Sequence, residues 1–557
     1  MKSILMRTGI LVCLLFLGWS FDKASAEMTW PSKCKALYGE VKPNQNPSPQ
    51  HINCLLTNAA LAANIPPEVV KAVAERENGW RQFDGNGKPF ISSDGGIGLM
   101  QITNQSNYDK KKLQNDIYYN IQAGLEILTS MFKRTDLPKI SGVGREVIEN
   151  WYFPVMAYNG TKPVNSPLYQ SNGQRNTNAY QEKVFSLIEK DSFLKDTKLA
   201  HFPFKTTDFK YDTKSNKNIE FQKLKYSITA QMHPSAYLFK IGNKVVVTKD
   251  KVNLRSQPSS AASLKTLAKN TTLIITGAFK YDQTSTSNRF VWYPVKTEDS
   301  KVKGYISSAY ISRKLELPVV NSIGDRDKII TGKAPVNTRV QIKSGSKLIG
   351  SGVADKNRNF KVTIPVQKAG VKLAVIYKDQ LNAISPVKTI IVLDKTAPLV
   401  PKVNTVTNKA AVISGKAEAN AAVSVKVSTK TYSGKADKNG NYKVAIPVQN
   451  TGTKISATAK DKAGNKSKPR TITVVRTAPN IPIVTKVNTK TTVVTGKTEK
   501  YATVTVKIGK KNYTAKANVY GNFKVKISKQ RAGTKLYVNA KDTKGKISAT
   551  RTVAVSK

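Results

Sequence analysis

A set of motifs recurs every 81 to 83 residues through the last 240 residues of this 557-residue chain. Thr331-Gly-Lys-Ala334 returns as Ser414-Gly-Lys-Ala417 and Thr495-Gly-Lys-Thr498. Asn359-Phe-Lys-Val362 returns as Asn441-Tyr-Lys-Val444 and Asn522-Phe-Lys-Val525, and Lys378-Asp379 as Lys460-Asp461 and Lys541-Asp542. Repetition at a fixed interval makes each unit a module, so the fold has to be read per repeat. Val423-Ser-Val-Lys-Val427 and Val504-Thr-Val-Lys-Ile508 alternate apolar and polar residues, as half-buried strands do. Short alternating strands between Gly and Asn turns bury their apolar side by facing two sheets. Three tandem all-β sandwiches are expected, at 318–396, 397–477 and 478–557.

These units resemble bacterial immunoglobulin-like repeats, joined by Ala-Pro links at Ala397-Pro398 and Ala478-Pro479. From Pro318 onward they hold 47 Lys and Arg against 10 Asp and Glu, so most of the chain's formal +54 is theirs. Lysines on outward strand positions protect edges and keep a protein soluble, but an excess of this size also draws polyanions. Anionic wall polymers such as teichoic acids are the expected partner. Nucleic acid is the poorer fit, because the repeats carry neither regularly spaced aromatics for stacking nor a groove-reading helix motif. Asp437-Lys-Asn-Gly-Asn441 invites a calcium reading, yet the third repeat has Asn518-Val-Tyr-Gly-Asn522 there, which favours a turn.

Ahead of the repeats, 240–314 reads as a smaller β unit. It has Val252-Asn-Leu-Arg-Ser-Gln-Pro258 near its start, Trp292-Tyr-Pro-Val-Lys296 in its second half and Gly304-Tyr-Ile306 near its end. This resembles a bacterial SH3-type barrel, a family whose members bind wall peptides or glycans. Trp292 and Tyr293 suit either a core or a ligand surface. The stretch 195–239, rich in Lys, Asp and Thr, reads as a linker with some structure, since Phe202, Phe204, Phe209 and Tyr211 could still find a packing partner.

The other end of the chain carries an address. Lys2 and Arg7 precede the apolar run from Gly9 to Gly18, and Ala24-Ser-Ala26 offers a small-x-small cleavage site, so 1–26 reads as a secretory signal peptide. That run is shorter than the ~20 residues a membrane span needs. An exported chain without a transmembrane segment is expected, secreted or wall-associated. Cleavage leaves Cys34 and Cys54, which an oxidising compartment would bridge; two buried free thiols are the alternative. Three histidines and three cysteines make a metal-ligand cluster improbable, and no cofactor is called for. The chain reads as a monomer.

Pro66-Pro67-Glu-Val-Val-Lys-Ala-Val-Ala-Glu-Arg-Glu77-Asn-Gly79 predicts one helix, with prolines in its first turn and glycine at its end. Val70, Val73, Ala74 and Glu77 share a face, which places a carboxyl among apolar side chains. Desolvation there would raise its pKa and keep a proton available near neutral pH. Glu75 falls on the far side, one turn from Lys71, where an exposed ion pair is expected.

Ser92-Ser-Asp-Gly-Gly-Ile-Gly98-Leu-Met-Gln101 follows, then Asp116-Ile-Tyr-Tyr-Asn-Ile-Gln-Ala-Gly124, Ala157-Tyr-Asn-Gly160 and Tyr180-Gln-Glu-Lys-Val184. In that order these segments resemble the soluble lytic transglycosylase catalytic domain, an α-rich lysozyme-like fold, over roughly residues 50 to 190, which places the domain at 27–194. The resemblance implies that Glu77 is the single acid/base. Met100 and Gln101 would line a glycan groove, Ser92 would assist at the substrate's N-acetyl group, Tyr158 would orient Glu77 through its hydroxyl, and Asn159 would hold sugar or loop. Asn78 stands where the family has serine, and Asp84-Gly-Asn-Gly-Lys-Pro89 adds an apparent hairpin. The implied substrate is the peptidoglycan strand, cleaved between N-acetylmuramic acid and N-acetylglucosamine with closure of a 1,6-anhydro ring. A hydrolysing muramidase, with Asp84 or Asp94 placing a water, and a non-catalytic adhesive protein are the alternatives.

Overall fold

The computed structural model describes residues 29–103, 105–190, 198–260, 263–282, 284 and 288–557. The signal-peptide reading of 1–26 lies outside them. The chain gathers into two units, one through Asn321 with Ile330–Thr363 and Leu373–Ile390, the other comprising Ser322–Ile329, Ile364–Lys372 and Ile391–Lys557. No helix among the described residues is long and apolar enough to cross a membrane.

The first unit opens with helices α1 (Ser32–Tyr38), α2 (Pro49–Ala62), α3 (Pro67–Asn78), α4 (Lys110–Asn115), α5 (Ile117–Lys133), α6 (Tyr152–Asn159) and α7 (Tyr180–Lys190). Their ends follow capping chemistry. Ser48 accepts the His51 amide at the start of α2, Asp116 accepts the Tyr118 and Tyr119 amides at the start of α5, and Gly79 closes α3 in the left-handed region at φ 55°. Helix α3 lies against α2 and α7. Its Val69, Val70, Ala72, Val73 and Ala74 are fully buried. Cys34 of α1 and Cys54 of α2 are joined by a disulfide, with their Cα atoms 5.7 Å apart.

The aromatics of residues 198–239 find the packing partner expected of them, so the stretch is more than a connector. Phe202, Phe204, Phe209 and Tyr226 interlock with Tyr152 and Phe153 of α6, ring centroids 5.1–6.2 Å apart. Lys225–Tyr226 also pairs in parallel with Lys139–Ile140. Burying a large apolar side chain is worth roughly 1.5–3 kcal/mol, so this aromatic strap belongs to the helical core. The polar residues between its aromatics made it read as a connector.

The exposed Lys71–Glu75 pair is likewise overturned. Lys71 is fully buried, and its ammonium donates to the Tyr237 hydroxyl at 2.8 Å and to the Arg289 carbonyl at 3.0 Å. Glu68, also fully buried, accepts from the Ser235 hydroxyl and the Ala236 amide, each at 2.8 Å. Both faces of α3 are covered, which a helical period of 3.6 residues does not foretell.

The barrel that supplies Arg289 has seven strands in the order Ile311–Arg313, Lys244–Val247, Thr272–Ile275, Trp292–Thr297, Lys303–Ser307, Val252–Arg255, Ser263–Leu267. Trp292 and Tyr293 are core residues, 3% and 0% exposed.

Each repeat is built from a three-stranded and a four-stranded sheet. In the second unit, repeat two pairs Lys402–Val403, Val412–Lys416 and Asn441–Ala445 in one sheet. Its other sheet runs Lys430–Lys435, Ala422–Val427, Lys454–Lys460, Arg470–Thr473, and repeat three copies this arrangement. The recurring motifs have geometric reasons. A Cβ on Gly415 or Gly496 would stand 2.0 Å from the carbonyl of Lys402 or Ile483 and against the Tyr442 hydroxyl or the Phe523 ring. Only glycine lets strand and ring approach so closely. Asp437 accepts the Asn439 and Asn441 amides, and Asn518 accepts those of Tyr520 and Asn522, so both segments are turns. The recurrent aspartates also brace junctions: Asp542 holds Arg476 at 2.6 Å, and Asp379, in the first unit, holds Arg313.

Candidate active site

Glu77 occupies the last turn of α3, half-buried, with the apolar face of the helix on one side and α7 on the other. The Tyr180 hydroxyl, at the first residue of α7, donates to its Oε1. Burial pushes the carboxyl up to about 7, against the smaller opposing effects of the Tyr180 hydrogen bond and the Arg76 charge; Asp94 adds to the rise. A carboxyl raised that far keeps its proton toward neutral pH, the state a general acid needs.

Tyr180 rather than Tyr158 holds Glu77. The Tyr158 hydroxyl donates to the Met100 carbonyl at 2.7 Å and thereby ties α6 to the 92–101 loop. Its ring still lies in the field of Glu77, which raises its pKa after burial has done so. Asn159 is exposed and accepts from Asn165 at 2.9 Å; Asn165 in turn accepts the Tyr180 amide at 3.1 Å. Asn159 thus braces the entry to α7.

The 92–101 loop rests on a polar knot. Gln82 accepts the Leu99 amide at 3.0 Å, and Asn120 of α5 accepts the Met100 amide at 2.8 Å. Their amide nitrogens donate to the carbonyls of Leu113 and Ile97, at 2.8 Å and 2.9 Å. A Cβ on Gly98, at φ 72°, would meet Asn120 at 2.5 Å and Gln82 at 2.6 Å, so the glycine of the motif lets the loop sit on the knot. Nothing but the identity of two amides hinted at this role.

Met100 does not line a groove. It is 0% exposed and packs on Gly124 of α5. Gln101, half-buried at φ 49°, folds its amide onto the Gly98 carbonyl at 2.7 Å. Ser92 donates to Asp94 at 2.5 Å and accepts the Gly96 amide at 2.9 Å; the serine holds the Asp94 carboxyl below the usual range. Asp84 accepts the Asn86 and Lys88 amides within its hairpin.

Residues 55–180 match the family model of the transglycosylase SLT domain. This chain carries an SLT domain. Residues 250–312 match the bacterial SH3 domain, and 316–394, 397–475 and 478–557 each match the bacterial Ig domain. Downstream of the SLT domain the chain is thus β-rich, as the period-two alternation predicted. A cell wall-associated protease of Bacillus subtilis (strain 168) is 35% identical over 157 residues, 28% of this chain. The chain spans 17% of that relative's length. Among solved structures, an ice-binding adhesin of an Antarctic bacterium covers 59% of this chain and 93% of its own at 15% identity and a TM-score of 0.18. A two-domain fibronectin type III segment of chicken tenascin covers 29% and 100% at 14% identity and a TM-score of 0.21. Likeness at that level says nothing of activity.

Proposed function

We propose that the chain is an exported peptidoglycan lytic transglycosylase that uses Glu77 as its acid/base and is retained on the wall by its basic β domains. The observation that carries this reading is a half-buried carboxyl at the end of α3, held by a tyrosine hydroxyl and pushed up by burial, inside the segment that matches the SLT domain. Glu77 protonates the glycosidic oxygen between N-acetylmuramic acid and N-acetylglucosamine. The substrate's own N-acetyl group relieves the oxocarbenium-like centre, so a second enzyme carboxylate is not required. The carboxylate then takes the proton from the muramoyl C6 hydroxyl, whose oxygen closes the 1,6-anhydro ring. The Tyr180 hydrogen bond favours the carboxylate stage of this cycle.

Retention on the wall rests on charge. Lys416 and Lys443 of repeat two, like Lys497 and Lys524 of repeat three, lie exposed on the outer faces of their sheets. Phosphate-rich wall polymers such as teichoic acids suit such a surface, and release from isolated walls should follow rising salt.

Mass spectrometry of glycans released from purified peptidoglycan tests the chemistry, with Glu77→Gln run beside the wild type. Muropeptides one water lighter than reducing-end products, absent with the mutant, are expected. Reducing ends instead would make the enzyme a hydrolysing muramidase and point to Asp94, the ionised neighbour that Glu77 feels, as the group that places water. No release from walls that the protein binds would leave an adhesive role.

A further inference from the structure

The turn that follows Glu77 is held in an unusual conformation. Gly79 is left-handed at φ 55°, and so is Trp80 at φ 62°, a region that bulky residues rarely adopt unless their surroundings hold them there. Trp80 is 3% exposed, and its indole N–H donates to the Lys71 carbonyl at 2.9 Å. The other face of its ring carries a residue of the barrel: the Arg289 guanidinium lies 3.8 Å from the ring centroid. The same guanidinium pairs with Glu75 at 2.8 Å, and the Arg289 carbonyl accepts from Lys71 and from Tyr237, each at 3.0 Å. One barrel residue thus touches Lys71, Glu75 and Trp80, which bracket Glu77 along the chain. A planar guanidinium can stack on the indole and pair with a carboxylate at once, which an ammonium cannot do.

We propose that Arg289 is a positioning residue for Glu77, and that the SH3-like barrel completes the SLT site by clamping the end of the catalytic helix. Where Glu77 acts as acid/base this rests on the transglycosylase reading; the clamp on the turn beside it does not. The barrel is then part of the enzyme as well as a wall-binding module. A displacement of about 1 Å at an acid/base can cost two orders of magnitude in rate, so a loosened turn is felt in kcat before it is felt in binding. The charged and titratable groups that face Glu77 are Tyr180, Tyr158, Arg76 and Asp94, and those that face Arg289 are Glu75 and Lys71. Loss of the guanidinium therefore reaches Glu77 through the backbone of the turn.

The test uses the full chain with its leader removed, as wild type, Arg289→Ala, Arg289→Lys and, as a control on an exposed barrel strand, Lys265→Ala. Turnover of purified peptidoglycan is measured across pH, the Glu77 titration is followed by carboxyl carbon-13 NMR, and the folded fraction by thermal unfolding. Arg289→Ala should lower kcat about tenfold or more with KM changed less than about twofold, and should move the Glu77 titration midpoint. Arg289→Lys, which keeps the charge near Glu75 but not the stack, should recover only part of the rate, and Lys265→Ala should match the wild type. Wild-type kcat and midpoint in Arg289→Ala would overturn the proposal. So would a loss of activity that only follows the loss of folded protein with the midpoint unmoved. If the wild type cleaves nothing, the transglycosylase reading fails on its own, and the NMR midpoint still decides whether Arg289 positions Glu77.

Discussion

The SLT domain and the Ig-like repeats handle charge in opposite ways. Around α3 the charges are inside, and each is met by a residue far along the chain: Glu68 by Ser235 and Ala236, Lys71 by Tyr237, Glu149 by His233. In the repeats the cores are valine, alanine, isoleucine and an aromatic ring, and the lysines stay on outward positions of the strands. A repeat is satisfied by its own alternation. The helical region depends on polar contacts that exist only when distant segments have docked, so single substitutions should hurt the two regions very differently.

Lys71→Met should show the difference at its largest. Removing the amine takes its hydrogen bonds from the buried Tyr237 hydroxyl and Arg289 carbonyl, a change of about 3 kcal/mol, whereas Lys507→Met on an exposed strand position should stay within about 0.5 kcal/mol. Urea unfolding followed by tryptophan fluorescence reads the first unit alone, because the repeats contain no tryptophan. Reduction of the Cys34–Cys54 bridge comes next. It should cost that region about 3 kcal/mol through the loop it closes and leave the repeats untouched, since no cysteine follows Cys54.

Glu77→Gln should stabilise the fold, and the pH sets how much. Near pH 3 the carboxyl is protonated whether the chain is folded or not, so mutant and wild type should agree. As pH rises past the ordinary carboxyl range toward the folded-state value of about 7, the unfolded chain ionises first and wild-type stability falls. At pH 8 the mutant should lead by about 2–3 kcal/mol. Equal stability at pH 8 would mean that Glu77 is not desolvated. In the repeats, Gly496→Ala should cost about 2 kcal/mol by forcing apart the strand and ring that close on it, visible as earlier loss of sheet circular dichroism. The smallest effect belongs to Tyr180→Phe. Losing a donor to the carboxylate should move the alkaline limb of activity upward by roughly half a pH unit to one.

Much of the site was legible from local pattern. Helix α3 was expected over 66–79 and spans Pro67–Asn78, and the carboxyl among apolar side chains is Glu77. The Asp84 hairpin also follows from its turn residues. Tyr180, Gln82 and Asn120 were not legible as site residues, because their partners lie 103, 17 and 20 residues away. Met100 misled for the same reason: a residue next to a glycine-rich loop can face a groove or a neighbouring helix, and only Gly124 of α5 decides which.

The sequence by itself determined what short-range order can determine: the period-two strands, the caps, the glycines where backbone must come close, and the placement of one glutamate on an apolar helix face. Tertiary packing alone settles that the aromatic strap covers α6, that Lys71 and Glu68 are buried, and that Tyr180 and Arg289 both reach side chains of α3. Alternation and helical period say which residues turn inward. What they turn toward depends on segments that only folding brings together.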